Sequence, residues 1–251
     1  MYSIPIILII GALVGFLSGL LGKGGSAIST PSLQLFARVN PFAALASPLP
    51  ATLPTTLSAA FAYKDENLVS RKVVIYSILC GIPATLYGSW LSGSFKGQTL
   101  MIFTAIFVLV IGLSFFMSFS TNELDFEELV IPFWKIFVVA VGVGFLSGIL
   151  ANSGGILFAP LFIRFLKLPT KKALASSLIV SAGLAIPGTL EHWYLGHINW
   201  LIVLFLSVSS IPFSYLGAKV AIRMDNKTLE RVFAIMLIGF GIFDLVYNLK
   251  G

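Results

Sequence analysis

Residues 15–31 read GFLSGLLGKGGSAISTP, and residues 144–160 read GFLSGILANSGGILFAP. In each copy an apolar run breaks at a cluster of small and polar residues, and a second apolar stretch that contains a proline follows. Irregular backbone survives at membrane depth only inside protein or beside a water-filled cavity, because its polar groups must find partners. A helix interrupted at matching places in two halves of one chain therefore indicates a transport site.

The composition around these two segments is that of a membrane protein. Of the 251 residues, 57% are hydrophobic and 10% are charged, whereas an ordinary soluble domain has about 25% charged residues. The apolar runs are continuous, unlike the alternating segments of a β-barrel. We predict an all-α polytopic membrane protein, with the lipid bilayer as its surroundings.

The charged and reactive residues exclude several classes of function. The net charge is +6, but the basic residues lie in short tracts beside apolar runs, which is typical of topology signals and does not indicate a nucleic-acid partner. One cysteine and two histidines cannot form an internal disulfide or a dedicated metal cage. We predict no catalytic residues, no metal site and no cofactor. The sequence leaves the oligomeric state open, a homo-oligomer included.

The two quoted segments belong to a duplication that keeps one register at an offset of 129 residues. Besides the GFLSG blocks, the sequence ALAS occurs at residues 44–47 and again at residues 173–176. Apolar composition alone gives scattered matches and not matched blocks in constant register. We predict one membrane domain made of a first transmembrane repeat, an acidic linker and a second transmembrane repeat, at residues 1–120, 121–131 and 132–251.

Each repeat is predicted to contain about four transmembrane helices and one interrupted or re-entrant Gly-rich half-helix, which gives about eight spans. The short segments after the breaks, at residues 26–38 and 156–168, would be about 20 Å long as helices, too short for a hydrocarbon core of about 30 Å. If they do not cross, the halves are parallel and Lys and Arg divide ten to five between the two sides. If they cross, the halves are inverted and the division is thirteen to three. Segment length favours the first arrangement, which we adopt, and the positive-inside rule favours the second.

The broken segments predict a site for an anion. A helix that begins at mid-membrane exposes free N–H groups and about half a positive charge, and two such ends facing each other would bind an anion. Lys23 would add charge, since an intramembrane lysine costs about 3 kcal/mol to insert and is usually functional. The alternatives are tight helix packing through small residues and a Lys23 side chain that reaches the surface. The predicted substrate-binding residues of the breaks are Lys23, Gly24, Gly25, Ser26, Asn152, Ser153, Gly154 and Gly155.

Four hydroxyls near the prolines of the third apolar run are further candidates. Thr55 and Thr56 follow Pro54, and Ser176 and Ser177 lie at the equivalent stretch of the second repeat. We predict that they line the substrate path, because prolines free backbone carbonyls that hydroxyls and a substrate can contact. The alternative is that these hydroxyls bond to carbonyls of their own helices.

Glu191 and His192 end a long apolar run and are the candidates for carrying a coupling proton. A carboxylate beside a histidine provides two groups that can exchange a proton within a membrane protein. An interfacial turn of ordinary polar residues is the stronger alternative, because Gly196 and His197 follow within one short turn.

The two Gly-rich blocks, together with ALASS at residues 173–177 and GHINW at residues 196–200, resemble the sulfite exporter TauE/SafE family, also known as the 4-toluene sulfonate uptake permease family. The resemblance covers nearly the whole chain. It implies a multi-pass permease of the cytoplasmic (inner) membrane that moves small sulfur-containing anions such as sulfite or organosulfonates. The chain departs from the family pattern at Lys23 and Ser26 in the first block, and in the second block Asn152 and Ser153 precede only two glycines.

Together these features predict a secondary transporter, and not an enzyme, that works by alternating access around an anion site near the midplane of the membrane. A transporter of a cation or a neutral solute is the alternative, and it is disfavoured because no acidic residue is expected at the midplane. An intramembrane enzyme or an assembly scaffold is a further alternative. An enzyme would need a nucleophile and a base at membrane depth, and Glu191 with His192 is the nearest such pair.

Overall fold

A computed structural model of the chain describes residues 3–22, 26–64, 68–92, 131–149 and 155–250, with five further residues between 106 and 113. The first five of these ranges hold ten α-helices. In chain order they are α1 (Ile4–Leu21), α2 (Ser26–Leu35), α3 (Pro41–Ala46), α4 (Pro48–Ala62), α5 (Arg71–Ser92), α6 (Phe133–Ile149), α7 (Gly155–Arg164), α8 (Thr170–Tyr194), α9 (Trp200–Arg223) and α10 (Asn226–Lys250).

The helix boundaries follow the apolar runs of the sequence. The predicted run at residues 4–21 is α1, and the predicted runs at residues 73–91 and 200–222 are α5 and α9, each slightly extended. Among the described helices α1, α5, α8 and α9 are long and apolar enough to cross a membrane. The prediction of an all-α, multi-pass membrane protein is confirmed. The predicted run at residues 99–119 and the acidic linker lie almost wholly outside the described residues.

The predicted run at residues 42–63 forms two helices, α3 and α4, which meet at Ser47. Pro48 begins α4, where a proline is favoured because the N–H that it lacks would have no partner in the first turn. Pro54 lies inside α4. The division leaves α4 as a separate helix of 15 residues that carries the threonines of this run.

α1 packs lengthwise against α9 through its glycines. Gly11 lies against Leu206 and Gly19 lies against Ser214, so residue number rises along both helices together and the two are parallel. A Cβ atom on Gly19 would overlap the Ser214 carbonyl oxygen. This is the close backbone approach that small residues permit between helices in a membrane.

α4 is parallel to α9 as well. At the start of the two helices, Asn199 N–H donates to Ser47 Oγ at 3.0 Å. Further along, Ser214 Oγ donates to the Thr55 carbonyl oxygen at 2.8 Å. The helices α1, α4 and α9 therefore form one group with a common direction.

α5 and α6 pack in the same manner as α1 and α9. Gly144 of α6 lies against Gly81 of α5, and Gly148 lies against Thr85. Residue number again rises along both helices, so α5 and α6 are parallel, and the absence of a side chain at Gly144 and Gly148 allows their backbones to meet.

α8 is parallel to α5 and completes a second group. Near the start of both helices, Ser70 N–H donates to Ser176 Oγ at 3.0 Å. Further along, a Cβ atom on Gly81 would lie 3.1 Å from a methyl group of Leu184. The helices α5, α6 and α8 therefore share one direction.

The two groups run in opposite directions. Ser177, two turns into α8, donates its hydroxyl proton to the carbonyl oxygen of Gly22 at the end of α1, at 2.5 Å. Gly188, near the end of α8, lies against Leu49 near the start of α4. As a consequence α1 and α6, whose sequences correspond, are antiparallel.

These directions agree with the inverted arrangement and correct the parallel arrangement that we adopted from segment length. The length argument failed because α2 does not have to span the bilayer alone. Gly22 lies two turns into α8, well inside the bundle, and the chain continues from α2 through α3 before α4 begins. A short helix together with the segment after it therefore makes the return.

The basic residues are distributed unevenly between the two ends of the bundle. We call the end at which α5, α6 and α8 begin the basic end, because twelve of the thirteen Lys and Arg side chains that the structure describes are there. The thirteenth, Arg38, follows α2 at the opposite end. The twelve are Lys64, Arg71, Lys72, Lys135, Arg164, Lys167, Lys171, Lys172, Lys219, Arg223, Lys227 and Arg231.

The largest apolar cluster lies where α7 and α8 meet α4 and α6. Tyr63, Phe158 and Phe162 are among its fully buried side chains, and the rings of Phe158 and Phe162 are 5.4 Å apart. A smaller cluster around Ile7 and Leu33 joins α1, α2 and α9.

Candidate functional site

A cavity of about 20 Å³ lies at mid-depth between α1, α2, α4 and α9. Its polar lining consists of four hydroxyls, those of Ser29, Thr52, Thr55 and Ser210, each on a residue that is at least nine-tenths buried. The volume is enough for a water molecule. We call this space the hydroxyl cavity. The remaining lining residues are Gly11, Val14, Pro48, Ala51 and Leu206.

The threonine protons of the hydroxyl cavity are already engaged inside the protein. Thr52 Oγ1 donates to the Pro48 carbonyl oxygen at 2.9 Å and Thr55 Oγ1 donates to the Ala51 carbonyl oxygen at 2.7 Å. Ser210 Oγ lies 2.5 Å from Thr55 Oγ1 and can donate to it. Because a hydroxyl has one proton, these groups offer mainly lone pairs to the cavity, which suits water or a cation better than an anion.

Thr55 and Thr56, predicted to line the substrate path, bond to carbonyls of their own helix, as the alternative interpretation expects. Thr56 Oγ1 donates to the Thr52 carbonyl oxygen at 2.8 Å. Thr55 also lines the hydroxyl cavity, so it has both a local bond and a place at the site. Ser210, which contacts Thr55, was not among the predicted residues.

The equivalent place in the other group of helices is filled. At the offset of 129 residues, Ser29 corresponds to Phe158 and Thr55 corresponds to Leu184, and both apolar side chains are almost fully buried in one cluster. Two hydroxyls remain there, those of Ser77 and Ser181. Both residues have an exposed fraction of 0%, and neither hydroxyl has a hydrogen-bond partner in the described part of the chain.

Ser176 and Ser177 contact backbone groups at helix ends. Ser176 Oγ accepts a hydrogen bond from Ser70 N–H at 3.0 Å, and Ser177 Oγ donates to the Gly22 and Leu174 carbonyl oxygens. The Gly22 carbonyl is the last backbone acceptor described before the first break. These contacts give both serines a structural role, because Ser177 contacts the backbone before the first break and Ser176 contacts the backbone that leads into α5.

The first apolar run ends as a helix before the first break, where Gly22 follows α1 with a positive φ angle of 63°. α1 ends at Leu21 and α2 begins at Ser26, and α6 ends at Ile149 and α7 begins at Gly155, which is itself buried. The other predicted binding residues of the breaks, Lys23, Gly24, Gly25, Asn152, Ser153 and Gly154, lie outside the described residues.

The last described residues before the two breaks lie toward different ends of the bundle. Leu20 is next to Gly217, six residues before the end of α9 at the basic end, and Ile149 is next to Gly88, four residues before the end of α5 at the opposite end. At 1.5 Å per residue, each break begins within about 10 Å of one end of the bundle. That the break residues face each other at the midplane stays a prediction, because residues 23–25 and 150–154 lie outside the described residues.

Glu191 and His192, the candidates for proton coupling, lie in the last turn of α8 at the end opposite to the basic end. His192 Nδ1 is 3.3 Å from His197 Nδ1 in the following turn, and the exposed side chains of Trp193 and Trp200 meet beside them. Exposed tryptophans of this kind are typical of the membrane–water interface. The location agrees with an interfacial turn, and a role in proton coupling stays a prediction.

Comparisons with known proteins identify the family. The family described as "Sulfite exporter TauE/SafE" matches residues 7–243. The probable membrane transporter protein YunE of Bacillus subtilis is 27% identical, over 98% of both chains. A probable membrane transporter protein of Xylella fastidiosa is 28% identical, over 93% of this chain and 91% of its own. The probable membrane transporter protein MJ0441 of Methanocaldococcus jannaschii is 23% identical, over 97% of this chain and 96% of its own.

No solved structure matches the chain. The family match extends across both groups of helices described above, and the curated relatives are named as membrane transporters and not as enzymes. The chain is a multi-pass membrane transporter that belongs to the TauE/SafE sulfite exporter family.

Proposed function

We propose that the protein is a secondary transporter of small sulfur-containing anions, such as sulfite or an organosulfonate, across the cytoplasmic membrane. It works by alternating access between two inverted halves. The observation that carries the proposal is a set of paired packing contacts, 129 residues apart, in a chain of the sulfite exporter family.

The paired contacts support two halves of one design. Where Gly15 lies against Ser210, the corresponding Gly144 lies against Gly81, and where Gly19 lies against Ser214, Gly148 lies against Thr85. The hydrogen bond from Asn199 N–H to Ser47 has its counterpart in the bond from Ser70 N–H to Ser176. Transporters built from such inverted repeats change access by moving one repeat against the other around a central site.

The backbone at the ends of the short helices also corresponds. Arg38 and Lys167 have positive φ angles of 51° and 55°, rare for residues with a side chain. Val39 N–H donates to the Leu33 carbonyl oxygen at 3.1 Å, and the equivalent bond after Lys167 is 3.0 Å long. A shared rare conformation supports one ancestral fold for both halves.

The charge distribution sets the proposed orientation. Cytoplasmic segments of membrane proteins are rich in Lys and Arg, so the basic end is placed in the cytoplasm. A surface of one sign raises the local concentration of ions of opposite charge. The basic end would therefore collect anions from the cytoplasm, and Lys23, directly after Gly22, would supply a further charge within the membrane.

Transport in liposomes tests the proposal. Purified protein should move radiolabelled sulfite or a sulfonate, and Lys23→Ala should reduce the rate by about tenfold or more, as expected for loss of an intramembrane charge. Lys23→Arg, which keeps the charge, is the matched control and should retain most of the rate. A protein that transports none of these anions contradicts the proposed substrate class. Equal rates for wild type and Lys23→Ala would remove Lys23 from the mechanism.

A further inference from the structure

The serine pair, Ser77 on α5 and Ser181 on α8, is a second polar place inside the bundle that is separate from the hydroxyl cavity. Both residues are fully buried, and their hydroxyls have no partner among the described residues. Buried polar side chains almost always have one, so each such exception calls for an explanation. A bound ligand is one explanation that the surroundings can support.

The helix packing places the two serines on neighbouring turns of helices that are in contact. α5 and α8 are parallel and meet where Gly81 contacts Leu184. Ser77 is four residues before Gly81 and Ser181 is three residues before Leu184, so each lies one turn away on the same face of its helix. Because they are not hydrogen-bonded to each other, a bridging group could contact both.

The equivalent position in the other group of helices, α1, α4 and α9, is the open hydroxyl cavity, so this packing of helices can leave a space there. The counterparts of Ser77 and Ser181 at the offset of 129 residues are Leu206 and Thr52, and both line the hydroxyl cavity. At the same offset Phe158, a large side chain, corresponds to Ser29, which lines the hydroxyl cavity. Phe158 has an exposed fraction of 0%.

The chemistry of the serine pair differs from that of the hydroxyl cavity. Thr52 and Thr55 donate their protons to backbone carbonyls, whereas the hydroxyls of Ser77 and Ser181 have no acceptor among the described residues. Free O–H donors in a buried site suit a ligand that only accepts hydrogen bonds, and hydrogen bonds to an ionised acceptor are the strong ones. The oxygens of a sulfur oxyanion are such acceptors.

We propose that the serine pair binds the oxygens of the transported anion inside the bundle and that Phe158 must move aside to admit it. This inference rests on the proposed function. It adds the hydrogen-bond donors, Ser77 and Ser181, and the side chain of Phe158, which separates these donors from the rest of the substrate path. α5 belongs to the first repeat and α8 to the second, so the two donors come from both repeats and a movement of one repeat against the other changes the site.

Thermal unfolding of the full chain in detergent, with and without sulfite, tests the site. Wild-type Tm should rise with sulfite concentration, since a ligand of the native state stabilises it. The double variant Ser77→Ala with Ser181→Ala should need at least tenfold more sulfite for the same rise, with an unliganded Tm that is not lowered. Thr189→Val removes another buried, unpartnered hydroxyl of α8, eight residues from Ser181, and is the matched control that should respond like wild type.

Phe158→Leu provides a second measurement that does not depend on the serines. Removing part of the ring that competes with the ligand should reduce the sulfite concentration needed by several-fold, because a larger fraction of the protein is then able to bind. An unchanged or weaker response would contradict the role given to Phe158.

The outcomes separate this inference from the proposed function. If wild type responds to sulfite and the double variant responds equally, the serine pair is not the site and the proposed function stands. If the double variant has a lower unliganded Tm and an unchanged response, the hydroxyls only bridge a structural water, and the inference is overturned. If wild-type Tm and liposome transport respond to no sulfur-containing anion, the proposed function fails, and the site falls with it.

Discussion

The hydroxyl cavity and the serine pair occupy equivalent places in the two groups of helices, yet they are opposite in character. The helices around them meet through corresponding glycines, Gly19 in one group and Gly148 in the other. One place is open and its threonine protons are engaged, and the other is filled by Phe158 and its hydroxyls have no acceptor among the described residues. The scaffold is therefore duplicated while the chemistry is not. Under the proposed function, the shared scaffold would serve the movement of the repeats and the difference would serve recognition of the substrate.

The largest expected effect comes from breaking the shared scaffold. Valine at Gly217 would overlap the Phe16 carbonyl oxygen, and valine at Gly88 would overlap the Phe145 carbonyl oxygen. Because the obstacle is backbone in both cases, Gly217→Val and Gly88→Val should each abolish the folded protein, measured as monodisperse yield in size-exclusion chromatography. A fold that tolerates one variant and not the other would show that the two interfaces are not equivalent in energy.

Gly142→Ala is the matched control for these variants, because a Cβ atom on Gly142 would meet no other atom within 4 Å. Its yield should equal that of wild type, and its stability should rise by up to about 1 kcal/mol, since alanine is the better helix former. A loss of folded protein for this variant would mean that any change at a helix glycine is harmful, and the scaffold variants would then carry no information on the contacts.

The second largest expected effect concerns the stability contributed by Phe158, the large side chain that distinguishes the serine pair from the hydroxyl cavity. Phe158→Ala should destabilise the unliganded protein by about 3–5 kcal/mol, the usual cost of removing a buried aromatic ring, because the side chain is fully buried against Phe162. Thermal or denaturant unfolding in detergent measures the loss. Leu161→Ala on the same helix, where the side chain is only partly buried, is the control and should cost clearly less. Equal losses of stability would show that the Phe158 side chain is not more tightly packed than that of Leu161.

The scaffold was largely predictable from sequence, and the reason is local. The bounds of α1 follow from an apolar run that ends at Gly22, and the constant offset of 129 residues relates the two GFLSG blocks in the sequence itself. The close contacts of Gly19 and Gly148 are what small residues in apolar helices indicate. The boundary between α3 and α4 follows from Pro48. Each of these properties depends on residues within a few positions of one another.

The direction of the halves and the place of the site were not predictable in the same way. Segment length argued against a return through α2, and this argument failed. The depth at which Gly22 lies is set by its contact with Ser177, more than 150 positions away in the chain, and no local pattern reveals that contact. Ser77 carries no motif and matches an apolar residue, Leu206, in the other half. Only its burial without a partner makes it a candidate, and that property requires the neighbouring helices.

A third, smaller effect tests whether two equivalent hydrogen bonds contribute equally to stability. Ser47→Ala removes the acceptor for Asn199 N–H, and Ser176→Ala removes the acceptor for Ser70 N–H. Each bond is 3.0 Å long and lies at the start of a long helix, so each variant should lose about 1 kcal/mol, the usual net value of such a bond. Unfolding in detergent measures both. A difference of more than about twofold would mean that the two ends of the bundle are not energetically equivalent.

The smallest effect concerns the N-terminal caps of α9 and α10. A neutral amide caps α9 and a carboxylate caps α10, and each accepts hydrogen bonds from the first turn of its helix. Asn199 Oδ1 accepts from Leu201 N–H and Ile202 N–H, and Asp225 Oδ2 accepts from Thr228 N–H at 2.8 Å. Hydrogen bonds from Thr228 lower the pKa of Asp225. Its contribution to stability is therefore present above the unfolded-state pKa of about 4 and is lost as the pH falls through the lower folded-state value.

Asp225→Asn should therefore flatten the fall of Tm below about pH 4 slightly, while Asn199→Asp should steepen it by giving the α9 cap an ionisable group. Both effects are small, because Asp225 is exposed and its bond competes with water. Tm measured for the three proteins from neutral to acidic pH decides the matter. Parallel curves would show that the acid confers no pH dependence and that the two caps are interchangeable. Curves that diverge only below about pH 4 would show that the α10 cap depends on the carboxylate charge.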